Sequence, residues 1–386
     1  MRAKNLVLSS YGTTIFETMS RLAQQHSAIN LGQGFPDGNG PSDVVAVAGE
    51  YLQNGLNQYP SMMGLPSLRQ AVAAINKRFY DLDINWETEV MVTSGGTEAL
   101  ASSLFGLIEP DDEVILIEPL YDSYLPIVQR AGGIPKLIRL EPPTWELTET
   151  ALERVFCEKT KLILLNSPMN PCSKVFSAEE LRLIAGFVEK FDTYAVCDEV
   201  YEHLLFDGLK HKPLMTISGM RDRCVRIGSA GKTFSLTGWK VGYVTASQNL
   251  LGSIAKAHQF ITFTTPPNLQ AAVAYGLSKD SIYFENLANQ LQKSRDFLKA
   301  GLEKIGFKVL TCEGSYFITA DFRPLGFSGN DEEFCRYITT KAKVAAVPVS
   351  AFFQGESAEH FARFCFCKEK ITLQKAIERL ETHFVG

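Results

Sequence analysis

The run Ser229-Ala230-Gly231-Lys232-Thr233-Phe234-Ser235-Leu236-Thr237-Gly238-Trp239-Lys240-Val241-Gly242-Tyr243 decides how this chain is read. It follows the apolar stretch Cys224-Val225-Arg226-Ile227, so Lys232 is expected at the end of a strand, flanked by small residues that leave its amine free of bulk. Lys240, eight residues on, and Ser229, three residues back, can converge on a phosphate. An amine, a second cation and a hydroxyl are the parts needed to form a Schiff base with an aldehyde cofactor that carries a phosphate. Gly231-Lys232-Thr233 is not the tail of a P-loop, because that motif needs a glycine where Arg226 stands. A surface lysine in a Gly/Ser/Thr-rich loop is the blander reading, and further pieces of the same site weigh against it.

At 386 residues, 45% hydrophobic and 21% charged, the chain has the balance of a soluble globular protein and is long enough for two lobes. A net charge of -5, with no basic cluster interleaved with aromatics, argues against a nucleic-acid or anionic-membrane partner. The stretch from Met1 to Ser10 has two cations but no apolar core of signal-peptide length, and no apolar run is long enough to span a membrane. The eight cysteines lie mostly in apolar runs, as at Cys197, Cys224, Cys365 and Cys367. None is in a Cys-x-x-Cys pair or beside spaced histidines, so neither a metal nor a disulfide framework is indicated. Buried free thiols in a reducing cytoplasm are expected.

Apolar strand-like runs alternate with helix-like stretches from about residue 45 to about 280. The runs are 89–93, 113–117, 161–165, 194–197 and 224–227; helical stretches include 97–108 and 178–190. Most runs are continuously apolar, as strands covered on both faces should be. The pattern predicts an α/β fold: a large domain over 44–282 with a mostly parallel sheet flanked by helices, and a smaller α+β domain over 283–386. Residues 1–43 are expected to join the smaller domain.

Several runs end in residues suited to ligands. Thr93-Ser94-Gly95-Gly96-Thr97-Glu98-Ala99 leaves a strand and opens a helix, where exposed amides favour a phosphate. Asp198 follows Ala195-Val196-Cys197, and a buried carboxylate there needs a cation, which a protonated pyridine nitrogen supplies. Tyr201 can then donate to the oxygen of the same ring. The alternative for Asp198 is a helix N-cap. Asn166-Ser167-Pro168-Met169-Asn170-Pro171 reads as a turn after a strand. Arg363 sits among aromatic and apolar neighbours in Phe361-Ala362-Arg363-Phe364-Cys365-Phe366-Cys367 and needs an anion, to which a guanidinium binds bidentately. Leu31-Gly32-Gln33-Gly34-Phe35-Pro36-Asp37 is not a dinucleotide fingerprint, since Asp37 stands at the third glycine position.

The lysine run, taken with these segments in order, resembles class I, fold type I, aminotransferases over essentially the whole chain. It is most similar to the kynurenine, glutamine and methionine aminotransferase branch, through Asn30 to Asp37, the lysine run and Arg363-Phe364-Cys365-Phe366. The resemblance implies pyridoxal 5'-phosphate on Lys232 and a phosphate cradle at Gly96 and Thr97 with Ser229 and Lys240. It implies Asp198 on the pyridine nitrogen, Asn170 and Tyr201 on the ring oxygen, and Tyr121 stacked on the ring. Arg363, Gly34 and Asn170 are implied around the substrate α-carboxylate. Tyr59, in Asn57-Gln58-Tyr59, resembles a tyrosine that reaches the phosphate of the neighbouring subunit, so a homodimer with shared sites is implied.

The expected reaction is a ping-pong transamination in which the freed Lys232 moves the substrate's Cα proton. Aspartate-specific relatives bring a second arginine from the partner subunit; the matching stretch here, His258 to Pro267, has no arginine or lysine and offers Phe260 and Phe263. Phe16 falls where relatives place a substrate-lining aromatic. Methionine, phenylalanine, tyrosine, kynurenine or glutamine is therefore expected over aspartate. A cysteine-S-conjugate β-lyase using the same residues is an alternative. A non-catalytic phosphate- or partner-binding relic is another, though it would be expected to have lost Lys232 or Asp198.

Overall fold

The computed structural model describes residues 5–355 and 357–386, so the first four residues of the N-terminal stretch read above lie outside it. Seven strands form one sheet in the spatial order Val90–Thr93, Gly242–Ala246, Cys224–Ser229, Tyr194–Asp198, Thr160–Asn166, Glu113–Glu118, Ile134–Arg139. Pairings from Cys224–Ser229 outward to Ile134–Arg139 are parallel, while Gly242–Ala246 runs antiparallel to both of its neighbours. The mostly parallel sheet flanked by helices agrees with the reading of the apolar runs.

Their continuous hydrophobicity has a direct cause. Val114, Leu116, Leu162 and Leu164 point into one core, while Ile115, Ile117, Ile163 and Leu165 point into another on the opposite face. With both faces covered, a period of two leaves no polar position along the strand. Two strands of this sheet escaped the sequence reading. Ile134–Arg139 is a partly solvated edge with Pro135, Lys136 and Arg139 in it, and Gly242–Ala246 lies inside the lysine run itself.

Four of the remaining strands form an antiparallel sheet in the order Val347–Pro348, Phe361–Cys365, Phe317–Asp321, Lys308–Val309. Ile29–Asn30 pairs in parallel with Val344–Ala345, which fastens the N-terminal segment beside that sheet. The helix Ser281–Ile305 leads into it. Among the described residues all eight cysteines are free, and no helix is long and apolar enough to cross a membrane.

Parallel strands bring their carboxyl ends to one edge, and Thr93, Asn166, Asp198 and Ser229 all end there. Behind that edge, the segment after Asp198 is anchored by a buried charge network. Arg226 Nε donates to Glu199 Oε2 at 2.6 Å and Nη2 to Glu202 Oε2 at 2.9 Å. Its Nη1 donates to Asn76, and Tyr80 Oη donates to Glu202 at 2.6 Å. The Tyr80 ring also faces the Arg226 guanidinium, 4.6 Å from its carbon to the ring centre, and each buried charge has its partner. Replacing it by methionine, Arg226→Met, strands two carboxylates in the interior. The expected loss of stability is about 3–5 kcal/mol, read as a lower urea midpoint with the wild-type slope.

Candidate active site

The strand edge opens into a cavity of about 350 Å³ whose lining includes Gly34, Gly96, Thr97, Tyr121, Asn170, Asp198, Tyr201, Ser229, Lys232, Lys240, Arg363 and Phe16. Twelve of the fourteen site residues expected from sequence thus meet at one place, from segments spread across the chain.

The Cys224–Ser229 strand stops at Ser229, and Lys232 falls on the single helical turn Ala230–Thr233 rather than on the strand end. That turn aims Nζ across the cavity to the Tyr316 hydroxyl, 2.8 Å away. Burial pushes the Lys232 amine below its ordinary range. Lys240 takes a left-handed conformation, φ 54°, as the chain swings back into the antiparallel strand at Gly242. Gly95, itself at φ +74°, lies against the Lys240 ammonium: a Cβ added there would come within 3.4 Å of Nζ. A cation therefore stands at the start of the helix Gly95–Leu107, where first-turn amides have no intrahelical acceptor.

Asp198 caps no helix; a turn follows it. Its Oδ2 accepts from Tyr124 Oη at 2.6 Å, and its Oδ1 from the Val200 amide at 3.3 Å. It is 5% exposed, forms no ion pair among the described residues, and burial raises its pKa from the ordinary aspartate value. Asn166 Nδ2 donates to the Asp198 carbonyl at 2.9 Å, and Asn166 Oδ1 accepts from the Asn170 amide at 2.8 Å. This bracing sets Asn170 beside Arg363.

Arg363 has no exposed surface. Its Nη1 donates to Asn170 Oδ1 at 2.8 Å and its Nη2 to the Gly32 carbonyl at 2.6 Å, while Nε has no partner. Its guanidinium carbon lies 3.8 Å from the Phe317 ring centre, with Phe16 at 5.0 Å and Phe352 at 5.2 Å. Burial pulls its pKa down to about 10, still charged near neutrality. A buried cation without a carboxylate partner is the mark of an anion site.

Tyr59 and Phe263 do not reach the cavity within this chain. Their rings meet edge to face at 5.6 Å on the surface, where Tyr59 is 83% exposed, close in sequence to the exposed Leu56 and Phe260. The sequence reading missed Tyr124, Tyr316 and Phe317. Tyr124 stands one helical turn after Tyr121, a spacing that signals a shared face. Phe317 pairs across from Cys365, diagonal to Arg363, which only the strand register reveals.

A family model described as aminotransferase class I and II matches residues 26–380. The structure of N-succinyldiaminopimelate aminotransferase from Mycobacterium tuberculosis is similar at TM-score 0.96 and 42% identity, covering 98% of this chain and all of that one (100%). The methionine aminotransferase of Escherichia coli is similar at TM-score 0.96 and 36% identity, over 99% of this chain and 100% of its own. A kynurenine–oxoglutarate transaminase of Dictyostelium discoideum is 37% identical, over 96% of this chain and 94% of its own. The chain belongs to the class I and II aminotransferases and is an enzyme that depends on pyridoxal phosphate to transfer amino groups between amino acids and oxo acids.

Proposed function

We propose that this aminotransferase takes its amino group from a large neutral amino acid: methionine, phenylalanine, tyrosine, kynurenine or glutamine. One observation carries the reading. Among the described residues, the cations lining the cavity are Lys232, Lys240 and Arg363, and each is matched to a group every substrate complex contains. The walls are aromatic, from Phe16, Phe35, Tyr121 and Phe317. A second carboxylate, on the side chain, finds no countercharge there.

The donor set fits pyridoxal phosphate. A lone buried carboxylate at Asp198 suits a pyridinium nitrogen, and Lys240 at a helix start suits a phosphate. Lys232 would hold the cofactor covalently; Gly96, Thr97, Ser229 and Lys240 would hold its phosphate; Tyr121 offers a stacking surface. Asn170 and Tyr201 would meet the ring oxygen. When bound, the cofactor supplies an electron sink for charge developing at the substrate Cα. Arg363, with Asn170 and the Gly34 segment, orients the α-carboxylate, and Lys232 Nζ, once free, takes up the proton released from Cα. Tyr124 donates to Asp198 and so favours its charged form against the burial that raises its pKa. The division into 1–43 plus 283–386 and 44–282 is proposed as the pair of bodies between which the cavity lies.

The exposed Leu52, Leu56, Tyr59, Phe260 and Phe263 support a homodimer in which Tyr59 and Phe263 enter the partner's site.

Three outcomes are expected. In a panel with one common oxo acid, kcat/KM for methionine and phenylalanine should exceed that for aspartate by roughly 100-fold, from the cost of an unpaired carboxylate. Aspartate as the best donor would overturn the substrate reading. Tyr124→Phe removes a hydrogen bond to the charged form of Asp198, so the Asp198 pKa rises further. The acid limb of the activity profile should then move to higher pH by about one pH unit. Mixing inactive Lys232→Ala with an inactive Tyr59→Ala chain should restore roughly a quarter of the native sites, those made in hybrid dimers. Full activity of a monomer in sedimentation would contradict a shared site.

A further inference from the structure

Tyr316 directly precedes the Phe317–Asp321 strand and follows Ser315, whose φ of +65° turns the chain into it. Its ring is 2% exposed and packs edge-on against Tyr201 at 5.2 Å and Phe317 at 4.8 Å. Its backbone carbonyl accepts from the Phe366 amide at 3.0 Å, which ties it to the strand that carries Arg363. The side chain has little freedom; its hydroxyl makes two short bonds and also faces the hydroxyl of Tyr201, which burial keeps neutral. Oη donates to the Gly34 carbonyl at 2.7 Å and accepts from Lys232 Nζ at 2.8 Å.

The direction of those bonds decides the chemistry. A carbonyl oxygen only accepts, so the single phenol proton is committed to Gly34 and the oxygen's lone pairs face the lysine. An amine that spends one N–H on that oxygen keeps its own lone pair free. Burial also holds the phenol far above its ordinary pKa, so it stays neutral. We infer that Tyr316 is a positioning residue for Lys232, holding its amine whenever it is not bonded to the cofactor and stabilising the ammonium formed when it accepts the Cα proton. The proton passes from the substrate Cα to Nζ; Tyr316 keeps its own proton on Oη throughout. The inference rests on the reading of Lys232 as the acid–base group.

Tyr316→Phe tests it in two ways. In the cofactor-free protein, the pH dependence of Lys232 acylation by an amine-reactive reagent is followed by peptide mass spectrometry. Loss of the acceptor should move that titration to lower pH by about one pH unit. In the loaded enzyme, the single-turnover half-reaction with methionine should slow roughly 10- to 100-fold, with KM little changed and a larger isotope effect for α-deuterated methionine. An unchanged titration together with an unchanged isotope effect overturns the inference, even if activity falls, because the hydroxyl then serves packing alone. Should Tyr316→Phe not fold, Tyr316→His offers a ring nitrogen as acceptor; a Lys232 titration and isotope effect closer to wild type than those of Tyr316→Leu support the inference, and no difference between the two overturns it. Borohydride fixing the cofactor to a lysine other than Lys232 sinks the underlying reading instead, whatever the Tyr316 variants do.

Discussion

A guanidinium shut away from water must be compensated, and the cavity is arranged around the incomplete compensation of Arg363. Its three neighbours of opposite polarity are a side-chain oxygen, a backbone carbonyl and aromatic faces, none of which carries a full negative charge. Ring quadrupoles recover part of the lost hydration, but Nε stays without a partner. Building this arrangement constrains distant segments. Gly34 must lack a side chain because a Cβ would fall 2.5 Å from the Phe317 ring, and Gly32 would press a Cβ within 3.1 Å of Val347. The glycine segment, the Asn170 turn and the late strand are therefore held in one relative position, and on the proposed reading a substrate carboxylate would supply the charge that the protein withholds.

The same chain contains the opposite solution to the same problem. Arg226 is as well buried, yet it meets Glu199 and Glu202, and its pKa is raised where that of Arg363 falls. A saturated arginine is structural; an unsaturated one awaits a ligand. The two are linked through a short segment whose residues alternate in duty. Asp198 and Tyr201 face the cavity, while Glu199 and Glu202 face Arg226. The carboxylate proposed to meet the ring nitrogen is thus placed by its neighbours' ion pairs, which lie outside the cavity.

Much of this was legible without coordinates, for a physical reason. In an open parallel sheet the ligand edge coincides with the carboxyl ends of continuously apolar runs, so the polar residues after each run, at Ser94 to Thr97, Asn170, Asp198 and Lys232, announce themselves locally. Residues that complete the site by long-range packing leave no such signal. Tyr316 and Phe317 look like any aromatic pair opening a strand, and only the register against Phe361–Cys365 brings them to Arg363. Arg226 reads as one cation in an apolar run until Glu199, Glu202 and Asn76 are folded around it. Tyr59 and Phe263 remain on the surface because their proposed destination is another copy of the chain.

On the proposed reading, substrate choice turns on charge rather than on overall likeness. The relatives' names span a succinylated diamino acid, methionine and kynurenine at comparable identities, so sequence distance does not separate them. On the proposed reading, the three cations lining the cavity are all engaged, Lys232 by the cofactor, Lys240 by its phosphate and Arg363 by the α-carboxylate. A further negative charge would have to be neutralised by a group brought from outside this chain, and the stretch proposed to approach a partner, His258 to Pro267, carries no lysine or arginine to do so. His258 itself is buried between Glu98 and the Met62 carbonyl, two acceptors that hold its ring in place and leave it nothing to offer a ligand. A neutral side chain lying on the aromatic wall needs no such group, and its transfer from water contributes to binding in proportion to the apolar surface it covers.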